Sequence, residues 1–310
     1  MSFETFIKDV EAKKLLNERD KYLCLADHCT REWEGEIKKQ GDEVIIYGIN
    51  RPTVWQLTAD GTYSNGIGTN SLKGKGRDIV QKGIPDAEEL TGFEIKCPVN
   101  QISLFNFMVG DIDEQQSSVK GMLNRARPKA AQEMAEQQDA RVRDVIVGTS
   151  ECRVTGEAYA NAIKLTSGVA GSGEINILDF IDEVVEQLKY NNVKDSEKIY
   201  GECSPAFIRR LKTALRGIDT NNSSIVRGRA VTTYNGIEFY SSNLMRNAEG
   251  EEYVFLRTGD SVAFFDPLTD MVPYAPEKGF ADAIKGYTLY DAHVVDKKAC
   301  KFAQISGYVG

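Results

Sequence analysis

Between Trp33 and about Asp111 the chain runs out and back in β-type segments with too little apolar sequence to cover them. No other feature constrains the fold as much. Glu36-Ile37-Lys38 and Val44-Ile45-Ile46-Tyr47 read as strands joined by a turn at Gln40-Gly41-Asp42, and Thr53-Val54-Trp55-Gln56-Leu57 reads as a third. The glycine-rich stretch from Ser64 to Gly76 cannot form a core and reads as a mobile loop tip. Strand character returns at Phe93 to Cys97 and Leu104 to Val109. A β excursion of this shape has much surface and little volume, so it predicts a neighbour to lie on.

Asp113 to Val147 carries the strongest helical pattern. Asp113 and Gln116 stand at the spacing of a capping box, and Gly148 occupies the C′ position. Ala130, Ala131, Met134, Ala135, Gln138, Val142, Val145 and Ile146 repeat with a helical period, which puts Glu133, Glu136, Asp139, Arg141 and Arg143 on the opposite, polar face. Pro128 is expected to break or kink the run, because it lacks the N–H that the helix ladder needs. A thin apolar seam on a polar helix describes a strut.

Residues 1–33 read as a helical arm with loosely periodic apolar positions, among them Leu15, Leu23, Leu25 and Ala26. Such an arm buries little unless it packs against something else. From Thr149 to Phe280 the pattern is of α/β type. Asn176 caps a helix with the stripe Ile177, Leu178, Ile181, Val184, Val185 and Leu188. Ser204-Pro205 opens a second helix that ends at Gly217. Strands are expected at Ile237 to Tyr240 and Tyr253 to Leu256, with closing strands in Tyr287 to Val295 and Cys300 to Ile305.

At 310 residues, 41% hydrophobic and 27% charged, the chain is neither disordered nor a membrane protein by composition. No apolar run approaches the roughly 18 residues that a bilayer span requires. The first five residues have no secretory character, so the six cysteines are expected as reduced thiols in a cytosolic product. A net charge of -8, with no basic run longer than two residues, argues against sequence-specific nucleic-acid reading.

Catalytic apparatus is hard to find. Cys24, His28 and Cys29 offer three ligands within six residues, yet no second pair with zinc spacing accompanies them. Cys203 with His293 has nothing in the sequence to orient it as a nucleophile and base. Gly168 to Gly173 misses the dinucleotide spacing and reads as a loop before the helix at Asn176. Asp111, Asp113 and Glu114 suit a helix N-terminus, and Asp86, Glu88 and Glu89 a solvated loop, better than magnesium. Lys73, Lys75, Arg77 and Lys82 read as solubilising charges. No catalytic, cofactor-binding or metal residue and no cofactor is assigned, and the expectation is a structural protein.

The run Gln101 to Gln116, with its phenylalanine-rich strand and Asp111-Ile112-Asp113 turn, leads into an alanine-rich helix through Gln137-Gln138-Asp139-Ala140-Arg141-Val142. Arg31 to Ile37 with Gly41-Asp42-Glu43-Val44 lies upstream of this run, and Tyr234 to Leu244 and Gly279 to Val295 lie downstream. Together these segments resemble the major capsid proteins of tailed double-stranded-DNA bacteriophages. The resemblance implies an α+β fold of Hong Kong 97 type: an N-terminal arm (1–33), an extended loop and peripheral strands (34–112), a spine helix (113–148), an axial domain (149–283) and closing peripheral strands (284–310). It also implies that the extended loop, about Glu34 to Val109, lies over an adjacent subunit.

The expected function is a shell subunit that self-assembles as hexamers and pentamers into an icosahedral virion capsid around packaged DNA. It would be made in the host cytoplasm with a scaffolding protein and a portal, and without a membrane partner. An encapsulin-like cellular compartment shares the fold and is the first alternative. A metal-dependent enzyme built on Asp111, Asp113 and distant carboxylates is the second.

Overall fold

The computed structural model describes residues 15, 17–33, 43–50, 55–57, 62–65, 74–75, 89–110, 122–216, 232–247, 250–274, 276 and 281–306. The chain forms two compact units, Ile45–Cys97 and the remainder, Met1–Val44 with Pro98–Gly310.

The smaller unit holds most of β1 (Glu43–Ile49) and β5 (Gly92–Pro98), which pair, and all of β2 (Trp55–Leu57), β3 (Thr62–Asn65) and β4 (Gly74–Lys75), which form an antiparallel sheet. The Phe93 ring lies over Gly48, where a Cβ would come within 2.2 Å of it. The expected strand at Glu36 to Lys38 and most of the glycine-rich stretch lie outside the described residues; the ends of that stretch belong to β3 and β4.

In the larger unit β6 (Gln101–Gly110) is followed by helix α1 (Met122–Gly148). The expected cap at Asp113 lies outside the described residues. Pro128 does not break the helix, which runs through it. The lost i→i−4 bond is offset by packing, since Ala131, Met134 and Ile284 cluster with Leu15 and with the half-buried Phe105 and Phe107.

The other face-forming elements of this unit follow in chain order: β7 (Lys164–Thr166), β8 (Glu174–Asn176), α2 (Ile177–Tyr190), β9 (Ile199–Cys203), α3 (Pro205–Arg216), β10 (Thr232–Tyr234), β11 (Ile237–Ser241), β12 (Glu252–Thr258), β13 (Val262–Tyr274), β14 (Ala281–Val294) and β15 (Cys300–Ile305). Five strands make one sheet in the order β10-β11-β9-β12-β15, and three make another in the order β13-β14-β6.

Both α2 and α3 begin where side-chain caps place them. Asn176 Oδ1 accepts from Leu178 N at 2.8 Å, and Ser204 Oγ accepts from Phe207 N at 3.1 Å. Their apolar stripes, including Phe180, Ile181, Leu188, Phe207 and Leu211, are buried in one cluster with Phe239, Val254 and Leu256 of the five-stranded sheet. Each such side chain contributes about 1.5–3 kcal/mol when removed from water.

The pairing cuts across the sequence boundary at 283. β13 lies before it but pairs with β14 in the three-stranded sheet, whereas β15 lies after it and closes the edge of the five-stranded sheet against β12. Strand alternation shows that a segment is half-buried; it does not show which sheet receives it.

Two positions in this framework make sharp predictions. Gly286 of β14 faces Phe105 across the ladder, and an added Cβ would sit 2.5 Å from the Phe105 ring and 2.8 Å from the Asp270 carbonyl oxygen. Backbone cannot yield as a side-chain tip can, so Gly286→Ala should cost about 1–3 kcal/mol in chemical denaturation. Gln138 of α1 is fully buried, and neither its Oε1 nor its Nε2 has a partner among the described residues. Gln138→Met keeps the volume and removes two unsatisfied groups, so it should raise the unfolding free energy by about 1–3 kcal/mol.

Candidate assembly surface and arm latch

The three-stranded sheet has two unlike faces. Ser103 donates to Gln137 of α1, and Phe105 and Phe107 pack against the cluster that holds Ala131 and Met134. Alternation then turns Ile102, Leu104, Asn106 and Met108 to the opposite face. Register puts Leu104 beside Tyr287 and Asn106 beside Lys285, with Asp270 and Val272 of β13 completing the same rows. These residues line a groove of about 450 Å³. Leu104 is 77% exposed and Met108 69%. Tyr274 donates to Asn106 Oδ1 at 3.0 Å, and the Lys285 ammonium lies 5.0 Å from the Tyr274 ring centroid, so the polar groups of this face are tied to one another around the apolar ones.

The smaller unit carries exposed apolar side chains of its own. Tyr47, Ile49, Leu90 and Phe93 are all exposed. An apolar strip of this kind marks an association surface more often than a free one.

The N-terminal segment is fastened to the body of the larger unit by buried charge. Asp139 of α1 accepts from the backbone N–H groups of Cys24, Leu25 and Ala26 at 2.9, 3.1 and 2.9 Å. Arg257 of β12 makes a two-pronged pair with Glu202 of β9, at 3.0 Å from Nε and 2.7 Å from Nη2. The same guanidinium donates to the carbonyls of Leu25 at 2.8 Å and His28 at 3.1 Å. Both charged side chains are sealed from solvent.

His28 Nδ1 lies 2.9 Å from Glu202, and its ring stacks on Tyr200 at 4.3 Å. Thr30 then joins β13: its N–H donates to Val262 O and its carbonyl accepts from Phe264 N, each at 3.0 Å. Five residues of the arm, Cys24, Leu25, Ala26, His28 and Thr30, therefore touch α1 and both sheets. Burial pushes the Asp139 carboxyl up to about 6 even though its three N–H donors pull it down.

Asp139 corrects the sequence expectation of a polar outer face. It is buried, because Ala135, Gln138, Asp139, Val142 and Ile146 form one face at helical spacing.

The sequence candidates for chemistry are placed apart or occupied. His28 and Cys29 serve the latch, where the Cys29 thiol donates to Leu25 O at 3.3 Å. Cys203 donates to Tyr240 O at 3.5 Å, while His293 Nε2 lies 2.8 Å from Pro98 O and β14 belongs to the other sheet, so nucleophile and base are not brought together. Among the described residues no group of three His, Cys, Asp or Glu is arranged to hold a metal ion. Asp86, Glu88, Asp111, Asp113, Glu114, Lys73, Arg77 and Lys82 lie outside the described residues. Gly168 to Gly173 forms the connection between the parallel strands β7 and β8, with Gly173 at a φ of 79°. No helix is long and apolar enough to cross a membrane among the described residues.

No family model matches the chain, and no curated protein matches its sequence. Solved structures do. A chain from Mycobacterium phage Che8 is 17% identical, with a TM-score of 0.61 over 90% of each chain. A chain of the mature capsid of bacteriophage PhiM1 is 13% identical, with a TM-score of 0.57 over 90% of this chain and 88% of that one. The capsid of cyanophage P-SCSP1u gives 12% and 0.56, over 87% and 85%. Two of these neighbours are capsid chains by their own descriptions. The chain has the phage capsid fold, an α+β fold of Hong Kong 97 type.

Proposed function

We propose that the chain is the major shell subunit of a tailed phage, assembling as hexamers and pentamers into an icosahedral capsid around packaged double-stranded DNA. The observation that carries this reading is the extent of the likeness, which covers nine-tenths of both chains in the Che8 comparison. The exposed rows around Leu104 and Met108 support it, as does the apolar surface of the smaller unit, since a shell subunit meets several neighbours through many modest interfaces. A scaffolding protein and a portal complete the assembly, synthesis takes place in the host cytoplasm, and the role is structural rather than catalytic. The net charge of -8 is compatible with DNA that the wall confines mechanically instead of gripping.

Negative-stain microscopy of the expressed protein, alone and with its scaffolding partner, tests the reading. Closed shells, tubes or capsomers are expected, and nuclease-protected DNA inside particles from infected cells distinguishes a virion from a compartment that holds enzymes. Featureless small particles under every condition would sink it. Leu104→Asp with Met108→Asp should abolish assembly while changing subunit stability by less than about 0.5 kcal/mol, because both side chains are already in water.

A further inference from the structure

Two of the six cysteines face each other at a junction that the assembly reading does not use. Cys152 ends the short 3-10 turn Ser150–Cys152 directly after α1, and Cys300 is the first residue of β15. Contacts on both sides hold the two segments together. Before Cys152, the Glu151 carbonyl accepts from Lys301 Nζ at 3.4 Å, and the Glu151 carboxylate pairs with Lys297 Nζ at 2.9 Å. After it, Arg153 forms a parallel bridge with Phe302, and Val154 N donates to Phe302 O at 2.9 Å.

Between these anchor points the two thiols are fully buried in one apolar cluster, close enough for each to shift the other's titration. The Cys152 sulfur also lies 3.9 Å from Lys297 O. Cys29 and Cys203 likewise direct their thiols at backbone carbonyls.

We propose that Cys152 and Cys300 are a redox staple: peroxide converts this dithiol to a disulfide that ties the end of α1 to the edge strand of the five-stranded sheet. The Cys152 thiolate attacks one peroxide oxygen and breaks the O–O bond, giving a sulfenic acid and hydroxide, which takes up the proton the thiol released and becomes water. The Cys300 sulfur then attacks the sulfenic sulfur, the S–O bond breaks, and the hydroxyl leaves with the Cys300 proton as a second water. Two electrons pass from the two sulfurs to the peroxide. Asymmetry within the pair suits this order. The neighbouring Cys300, helped by Lys301 and Lys297, holds the Cys152 thiol below the usual range, while Cys152 and burial hold Cys300 well above it.

The staple would close a loop of roughly 150 residues and so restrict the unfolded chain strongly. It does not depend on the shell reading, since it acts within one subunit.

The test treats the purified protein with hydrogen peroxide or with a phosphine reductant, then compares intact mass, thiol-blocked peptide maps and thermal unfolding. The expected result is a product lighter by two hydrogens, a single linked peptide pair containing Cys152 and Cys300, and a Tm several degrees above that of the reduced form. Re-reduction should restore the original value. Cys152→Ala and Cys300→Ala should each abolish the linked pair and the Tm increment. Because the wild-type comparison needs no variant, failure of either variant to fold leaves the test intact. Linkage of any other pair, sulfinic acid in place of the disulfide, or an oxidised form that melts no higher would overturn the proposal, whatever the microscopy shows about shells.

Discussion

Replacing Arg257 with methionine should cost the protein about 3–5 kcal/mol of folding free energy, the range for stranding one member of a buried ion pair. Glu202 would be left as a sealed carboxylate with His28 as its remaining close polar contact from the arm, and the carbonyls of Leu25 and His28 would lose their donors. Because so much of the arm is held through this one guanidinium, protease cleavage before residue 30 should accelerate along with the loss of stability. The double variant Arg257→Met with Glu202→Met removes both charges and should recover at least half of the loss, since a packed apolar pair replaces a buried ionic one at little cost. Arg257→Lys should fall between, keeping the charge but not the fork that reaches Glu202 and two carbonyls at once. Urea unfolding measures all of these. A midpoint change of less than about 1 kcal/mol for Arg257→Met would show that the latch is not held this way.

Asp139→Ala should be comparably severe at neutral pH, and its signature is a change in pH dependence. Three arm N–H groups lose their acceptor together, at about 1–3 kcal/mol for each buried donor left unmade. The carboxyl titrates near 6 in the folded protein, above its ordinary value, because burial penalises the charge. The folded state therefore binds this proton more tightly than the unfolded state. Its contribution to stability is fully present below about pH 4 and is lost as pH rises from about 4 through 6. Over that window the wild type should lose roughly 3 kcal/mol from this group as pH rises, set against the opposite trend of ordinary salt-bridged carboxylates. Subtracting the Asp139→Ala curve from the wild-type curve isolates it. A difference that stays flat between pH 4 and 7 would contradict the assignment.

Much of the fold was legible because local signals agreed. Asn176 and Ser204-Pro205 announced α2 and α3, and the apolar stripes after them are the ones buried. β6 carries apolar residues at both even and odd positions, and only the structure shows that α1 covers the odd-numbered side. What the sequence concealed has a common cause, which is polar residues in buried places. β9 reads Ile-Tyr-Gly-Glu-Cys, and nothing local says that its glutamate meets an arginine 55 residues away. β13 carries Pro267 and Pro273, which lower its strand character; the first falls at the register shift between Phe265 and Leu268, where a ladder N–H is not needed. Asp139 looked solvated because it is charged, yet its spacing from Ala135 and Val142 already placed it on the buried face. Periodicity outranked residue type there, and reading it first would have found the latch.

The latch also sets a schedule for biosynthesis. Its carbonyls at Leu25 and His28 wait for a guanidinium that lies 232 and 229 residues further along the chain. At ribosomal speeds of about 5–20 residues per second, that separation leaves the nascent arm without its clasp for roughly ten to fifty seconds. Throughout that interval Leu25 and Ala26, which end fully buried, have no completed core to enter. An early-emerging part of the chain is thus among the last to be secured, and any helper that shields the unfinished protein has its longest opportunity there.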